Sequence, residues 1–143
     1  MYSALLIARL IINYCNDNKM IISNLKLQKI LYFVQADFLV NKESPCFFED
    51  IEAWNFGPVV PEVYLEYKIY GSSNIPYRSS IAVTRDIQKD DRVRIIKMVQ
   101  KCAKYSTSTL VEITHRQAPW REAYNPYRRN VIPKEEIRKY FIN

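Results

Sequence analysis

The sequence predicts a mainly α fold: a compact single domain over residues 1–143, with a small β-hairpin or short sheet around residues 46–55. Three observations point there. Apolar residues recur at i, i+3, i+4 and i+7 through most of the chain, the period of helices with one buried face. Only 2 of the 143 residues are glycine, where average usage of about 7% would supply roughly ten. Tight hairpin turns draw on glycine for φ > 0, so a glycine-turned β fold is disfavoured. With 48% hydrophobic and 25% charged residues, a chain of this length buries a core without disulfides or metals.

Each element carries its own signal. The first helix runs from Ser3, a good N-cap type, to about Asn18. Arg9, Asn13 and Asn16 leave it one narrow polar stripe, which predicts a central helix buried on most sides. The second helix starts after Ser23. Leu27, Ile30, Leu31, Val34 and Phe38 form its core stripe, with Lys26, Lys29 and Asp37 facing outwards. Pro45, Phe47–Phe48 and the alternation Ile51-Glu52-Ala53-Trp54 then predict the short strand or hairpin.

A third helix is marked by Pro61 in its first turn, Glu62 at its positive end and Gly71 as its C′ residue. Residues 72–88, with Ser72-Ser73-Asn74, Pro76 and Ser79-Ser80, read as a loop with one short strand at Ile81–Thr84. Asp90–Asp91 open a helix that buries Ile95, Met98, Val99 and Cys102 and sets a basic stripe opposite, Arg94, Lys97, Lys101 and Lys104. A helix follows from Thr107 to His115, capped by Thr109 of the box Thr109-x-x-Glu112 or by Ser106. Pro119 opens a brief helix through Tyr124. Pro133 opens the last, with Glu135 and Glu136 early and Arg138 and Lys139 late, as the dipole prefers.

Residues suited to chemistry are scarce. A phosphate-cradling loop needs clustered glycines, but Gly57 and Gly71 lie 14 apart. His115 is the one histidine, and no neighbouring nucleophile or orienting acid marks a triad. Cys15, Cys46 and Cys102 show neither a C-x-x-C pair nor an even framework, so buried free thiols are expected. Glu49, Asp50 and Glu52 lack the spacing and glycine of a calcium loop. No catalytic residue, cofactor or metal is expected. The apolar start, Tyr2 to Cys15, has no basic n-region, is interrupted by Arg9 and falls short of the ~20 residues of a membrane span. It reads as a helix of a cytoplasmic protein.

Charge is unevenly spread. Residues 43–66 hold six acids and no Lys or Arg, so the rest of the chain carries +12 to give the net +6. Two faces of opposite sign are expected, which would steer charged partners. The basic stripe and the late cluster Arg116, Arg121, Arg128 and Arg129, interleaved with Tyr105, Tyr124 and Tyr127, admit nucleic acid as an alternative partner. No helix-turn-helix or aromatic RNP strand accompanies them. The 11 tyrosines suit protein recognition, or self-association, at least as well.

Three segments, in order, resemble a known family. Asn24-Leu25-Lys26-Leu27-Gln28-Lys29-Ile30-Leu31-Tyr32-Phe33-Val34-Gln35 resembles the opening motif of the Panacea antitoxin domain. Ile51-Glu52-Ala53-Trp54-Asn55-Phe56-Gly57-Pro58-Val59-Val60-Pro61-Glu62-Val63-Tyr64, ending in Tyr70-Gly71, resembles its most specific signature. Thr114-His115-Arg116-Gln117-Ala118-Pro119-Trp120 is similar to its late segment, and Ile137 with Tyr140-Phe141 to its ending. The family includes phage-associated GepA-type proteins and SocA-like proteolytic adaptors. The resemblance implies an antitoxin of a bacterial or phage pair, not an enzyme. Such a protein neutralises a toxin encoded by an adjacent gene through direct contact, or delivers it to a AAA+ protease.

Within the motifs, Gly57-Pro58 permits a sharp exit from the strand, and Trp54, Tyr64, Pro119 and Trp120 are suited to tie the hairpin to the C-terminal helices. Lys26, Gln28, Lys29, Tyr32 and Gln35 exceed what a core stripe requires. They serve either as buried hydrogen bonds holding the motif or as partner contacts. Thr114 and His115 have the same two readings, contact or helix cap.

Overall fold

The computed structural model describes residues 1–77 and 81–142. Helix α1 spans Ala4–Asp17, and Ser3 caps it by accepting from the Leu6 N–H. Helix α2 spans Asn24–Asn41, with Ser23 accepting from the Lys26 N–H. Both caps do what their side-chain oxygens allow: each satisfies an N–H that the first turn leaves without a partner. Twelve of the 18 residues of α2 are buried, against eight of 14 in α1. The centre of the molecule is therefore α2, not the first helix as its apolar surface suggested.

Strands β1 (Ile51–Trp54) and β2 (Gly57–Val59) form an antiparallel hairpin with Trp54 opposite Gly57. The turn between them, Asn55-Phe56, ends at Gly57 with φ +110°, a conformation that disfavours any side chain. A third strand, β3 (Val131–Ile132), pairs antiparallel with the other edge of β1, giving the order β2-β1-β3. The sequence reading placed the sheet at 46–55 and missed β3. Two residues between Asn130 and Pro133 show no alternation to read, and the strand exists because β1 offers it a partner.

Helix α3 (Pro61–Tyr67) runs into a 3₁₀ turn, Lys68–Tyr70. Gly71, at φ +55°, closes that turn rather than the α-helix itself. The expected strand at Ile81–Thr84 is instead part of helix α4, Ile81–Asp86. A four-residue apolar run has no period of its own. Val83 and Ile87, four apart, are both buried, and α4 packs on α1. Ser79 and Ser80 lie outside the described residues.

Helix α5 spans Lys89–Cys102, α6 Thr107–His115, α7 Ala118–Ala123 and α8 Lys134–Phe141. Ser106, not Thr109, caps α6: its oxygen accepts from the Thr109 N–H. The buried apolar side chains of α1–α8 and the sheet merge into one cluster around α2. Cys15, Cys46 and Cys102 are all buried free thiols within it. No described helix is long and apolar enough to cross a membrane, and no described group of His, Cys, Asp or Glu could hold a metal ion.

The acidic segment is not an isolated negative face. Asp50 pairs with Lys134 at 3.3 Å, Glu43 with Arg138 at 3.6 Å, and Glu49 accepts from the Ala4 N–H at 2.9 Å. The acids of 43–52 and the bases of α8 are thus brought together.

Candidate partner-binding groove and its buried polar frame

Helix α2 carries two stripes, and the fold buries both. Leu27, Ile30, Leu31, Val34 and Phe38 make the apolar one. The other is polar: Asn24, Gln28, Tyr32 and Gln35 follow i, i+4, i+8 and i+11, with Lys29 beside them, and all five are buried. Each has its hydrogen bonds made. Gln28 Oε1 accepts from the Val60 N–H at 2.9 Å while its Nε2 donates to Asn24 Oδ1 at 3.0 Å, and Asn24 Nδ2 donates to the Tyr64 carbonyl at 3.1 Å. Gln35 Nε2 donates to the Phe47 carbonyl at 2.9 Å, and its Oε1 accepts from the Cys46 and Phe47 N–H groups. Tyr32 OH donates to Gln117 Oε1 at 2.8 Å.

Lys29 is the most exceptional of these. The sequence reading faced it outwards, but it has no exposed surface. Its Nζ donates to the Pro58 carbonyl at 2.7 Å. Burial disfavours its charged form and pulls its pKa down to about 7. A Cβ at Gly57 would lie 2.8 Å from both Lys29 Cε and Thr114 Oγ1, so Gly57 is where hairpin, α2 and α6 meet most closely. Thr114 is fully buried and its hydroxyl donates to the Val111 carbonyl at 2.8 Å.

The polar stripe therefore works as a frame: it ties α2 to both ends of the β element and to α7. Burial of a polar side chain costs free energy unless its bonds are made, and no buried polar side-chain atom among the described residues lacks a partner. Tyr32→Phe tests one strut. It strands the Gln117 carbonyl and is expected to lower stability by about 1–2 kcal/mol, read from the urea midpoint. Burial is also what chiefly raises the Tyr32 hydroxyl pKa, so it stays a donor at any physiological pH.

Outside the frame, aromatic side chains close over the hairpin turn. Trp120 Nε1 donates to the Trp54 carbonyl at 2.8 Å, and His115 Nε2 donates to the Asn55 carbonyl at 3.0 Å. The His115 ring stacks on Trp120 at 4.1 Å, and Trp120 on Tyr124 at 4.5 Å. Tyr124 OH donates to Asn55 Oδ1 at 3.0 Å. Pro119 is buried in the first turn of α7. Trp54 meets the Tyr64 ring edge-on at 4.9 Å, and the Arg129 guanidinium lies 3.8 Å over its face.

Of these side chains, Trp54, Asn55, Tyr64, Tyr124 and Arg129 border an open groove of about 850 Å³. One wall is the hairpin with Trp54, Phe56 and Tyr64; the other is residues 124–129. Phe56 is 60% exposed and Tyr127 92% exposed at its lips. The sequence reading had set Tyr124, Tyr127, Arg128 and Arg129 in a nucleic-acid context. It missed Asn55, Asn24 and Gln117 as anchors. An amide recurring with a tyrosine at helical spacing, where lysine or glutamate would suit a wet face, was the available signal.

The basic stripe is not assembled as expected. Arg94 is held by Asp37 at 3.1 Å, and Lys104 lies beyond the end of α5. Lys97 and Lys101 remain exposed on that helix. Lys26 Nζ donates to the Tyr105 carbonyl at 3.0 Å, which fixes α2 to the turn before α6.

A fully bonded polar frame thus lies beside an exposed aromatic and basic groove. The family described as antitoxin SocA-like, Panacea domain, matches residues 27–121, and this chain belongs to it. Antitoxin SocA of Caulobacter vibrioides (strain NA1000 / CB15N) is 34% identical over 112 residues. That match covers 69% of this chain and 58% of the relative, so the chain spans less than two thirds of the relative's length. No solved structure matches.

Proposed function

We infer that this protein is an antitoxin that neutralises a cognate protein toxin, encoded by an adjacent gene, through direct contact in the cytoplasm. Family membership supports the antitoxin role. The observation that carries the contact surface is the open groove, whose lips leave Phe56 and Tyr127 uncovered over a fully bonded frame. Trp, Tyr and Arg are the side chains that dominate binding energy at protein interfaces, and Trp54, Tyr64, Tyr127, Arg128 and Arg129 lie together here. Little rearrangement is needed to present them, which lowers the cost of binding. Neutralisation is steric: the bound surface covers the toxin's active site or holds an inactive form.

Co-expression is the direct test. The neighbouring small protein, expressed alone, is expected to arrest growth, and this protein to relieve the arrest. A neighbour that is harmless alone, or an arrest that persists, overturns the reading. Steric neutralisation also predicts that the toxin's lifetime is unchanged or lengthened in the complex; a shortened lifetime would assign the protein to protease delivery instead.

A further inference from the structure

The groove is chemically one-sided. Its lining includes two arginines, Arg128 and Arg129, and no carboxylate. Both are exposed, and neither makes an ion pair among the described residues. Glu52, in β1, is not among the lining residues; its Oε1 accepts from Trp54 Nε1 at 2.8 Å. Arg129 stacks on Trp54, and a stacked guanidinium keeps its edge N–H donors free for a carboxylate. The rings argue against bases as the occupant. Trp54 is covered by Arg129 and met by Tyr64, and Trp120 lies between His115 and Tyr124, so few faces remain for stacking. Phe56 and Tyr127 offer apolar lips instead. About 850 Å³ falls within the roughly 300–1,000 Å³ of sites that hold a compact ligand, which suits a short segment.

The two walls also differ in origin. Trp54, Phe56 and Tyr64 lie within the matched residues 27–121, whereas Tyr127, Arg128 and Arg129 lie beyond them. We propose that the groove takes a short acidic and partly apolar segment of the partner protein, and that the Arg128–Arg129 wall selects it. The proposal rests on the antitoxin reading for the partner being a protein. The family-matched wall supplies apolar contact, and the second wall supplies the charge that discriminates among partners.

The test uses the full chain and fluorescence anisotropy with two fluorescein-labelled dodecapeptides. One alternates Asp with Leu and Phe; the other carries Lys in place of Asp. A single-stranded dT oligonucleotide is the third probe. The acidic peptide is expected to bind at least about tenfold tighter than the basic one, and Arg128→Glu with Arg129→Glu to weaken it by about tenfold or more, with Tm lowered by no more than the few degrees that loss of the Arg129–Trp54 stack brings. Lys97→Glu with Lys101→Glu, an equal change of net charge on α5, is expected to leave it within about twofold. Equal affinity for both peptides, equal loss in the α5 variant, or preference for the oligonucleotide overturns the proposal. Co-expression separates the two readings. An Arg128→Glu, Arg129→Glu protein that neutralises fully overturns the groove assignment and leaves the antitoxin reading standing. A wild-type protein that fails to neutralise overturns the antitoxin reading, while the peptide arm still decides the groove.

Discussion

Gly57→Ala is expected to cost about 2–6 kcal/mol of stability, from two sources that can be separated. The first is conformational: at φ +110° an L side chain is strained whatever the space around it, at about 1–3 kcal/mol. The second is steric, because the new Cβ would lie 2.8 Å from Lys29 Cε and 2.8 Å from Thr114 Oγ1. Overpacking a filled core adds typically 1–3 kcal/mol. Gly71→Ala isolates the first source: φ there is +55°, but a Cβ meets nothing within 4 Å. Its loss should therefore be the smaller by about 1–3 kcal/mol. Thr114→Ala in the Gly57→Ala background should recover part of the difference, since it removes one of the two colliding atoms. Urea unfolding of these proteins, with Thr114→Ala alone added to complete the cycle, measures all of this. Equal losses at Gly57 and Gly71, with no coupling to Thr114, would show that the contact beneath the hairpin carries no energy.

That junction also shows where the sequence was readable. Ser3 and Ser23 were legible as caps because a cap is a local event: one side-chain oxygen and an N–H three residues on. The hairpin, Pro61 and the α5 face were legible for the same reason. Trp54, Gly57, Pro58 and Tyr64 sit in one contiguous motif that the resemblance singles out, and Trp54 and Tyr64 of these line the groove. Elements that depend on a distant partner were not legible. β3 exists only as the neighbour of β1, and α4 only because α1 offers its side a place to bury Val83. The helical period sets Lys29 outwards, while the motif leaves it either a buried hydrogen bond or a partner contact. Its partner, the Pro58 carbonyl, is 29 residues away. The groove's second wall was not legible for a related reason: adjacent arginines and tyrosines look alike whether they serve phosphates or carboxylates, and the stacking of Arg129 on Trp54 needs a partner from a distant part of the chain.

Lys29 makes stability depend on pH in a direction opposite to that of an ordinary salt-bridged lysine. Its pKa is about 7 in the folded protein, lowered by burial, and about 10.4 in an unfolded chain. Between these values the unfolded state binds one more proton than the folded state, so stability rises with pH. Below about pH 7 both states hold the proton and the penalty is complete. The slope approaches about 1.4 kcal/mol per pH unit above 7, and the wild-type protein is expected to gain about 2 kcal/mol between pH 7 and pH 9. The buried thiols act in the opposite sense and later. Burial raises Cys15 and Cys102 to about 11 from 9.0, so the folded state holds more protons than the unfolded one between about pH 9 and pH 11, and their contribution to stability is lost across that window. Lys29→Met keeps the apolar stem and removes the titrating group, so subtracting its pH profile from the wild-type profile cancels the thiols. The difference should shift by about 2 kcal/mol in favour of wild type from pH 7 to pH 9. Parallel profiles would mean that Nζ keeps its proton beside the Pro58 carbonyl throughout, and that the frame under the groove tolerates a buried charge.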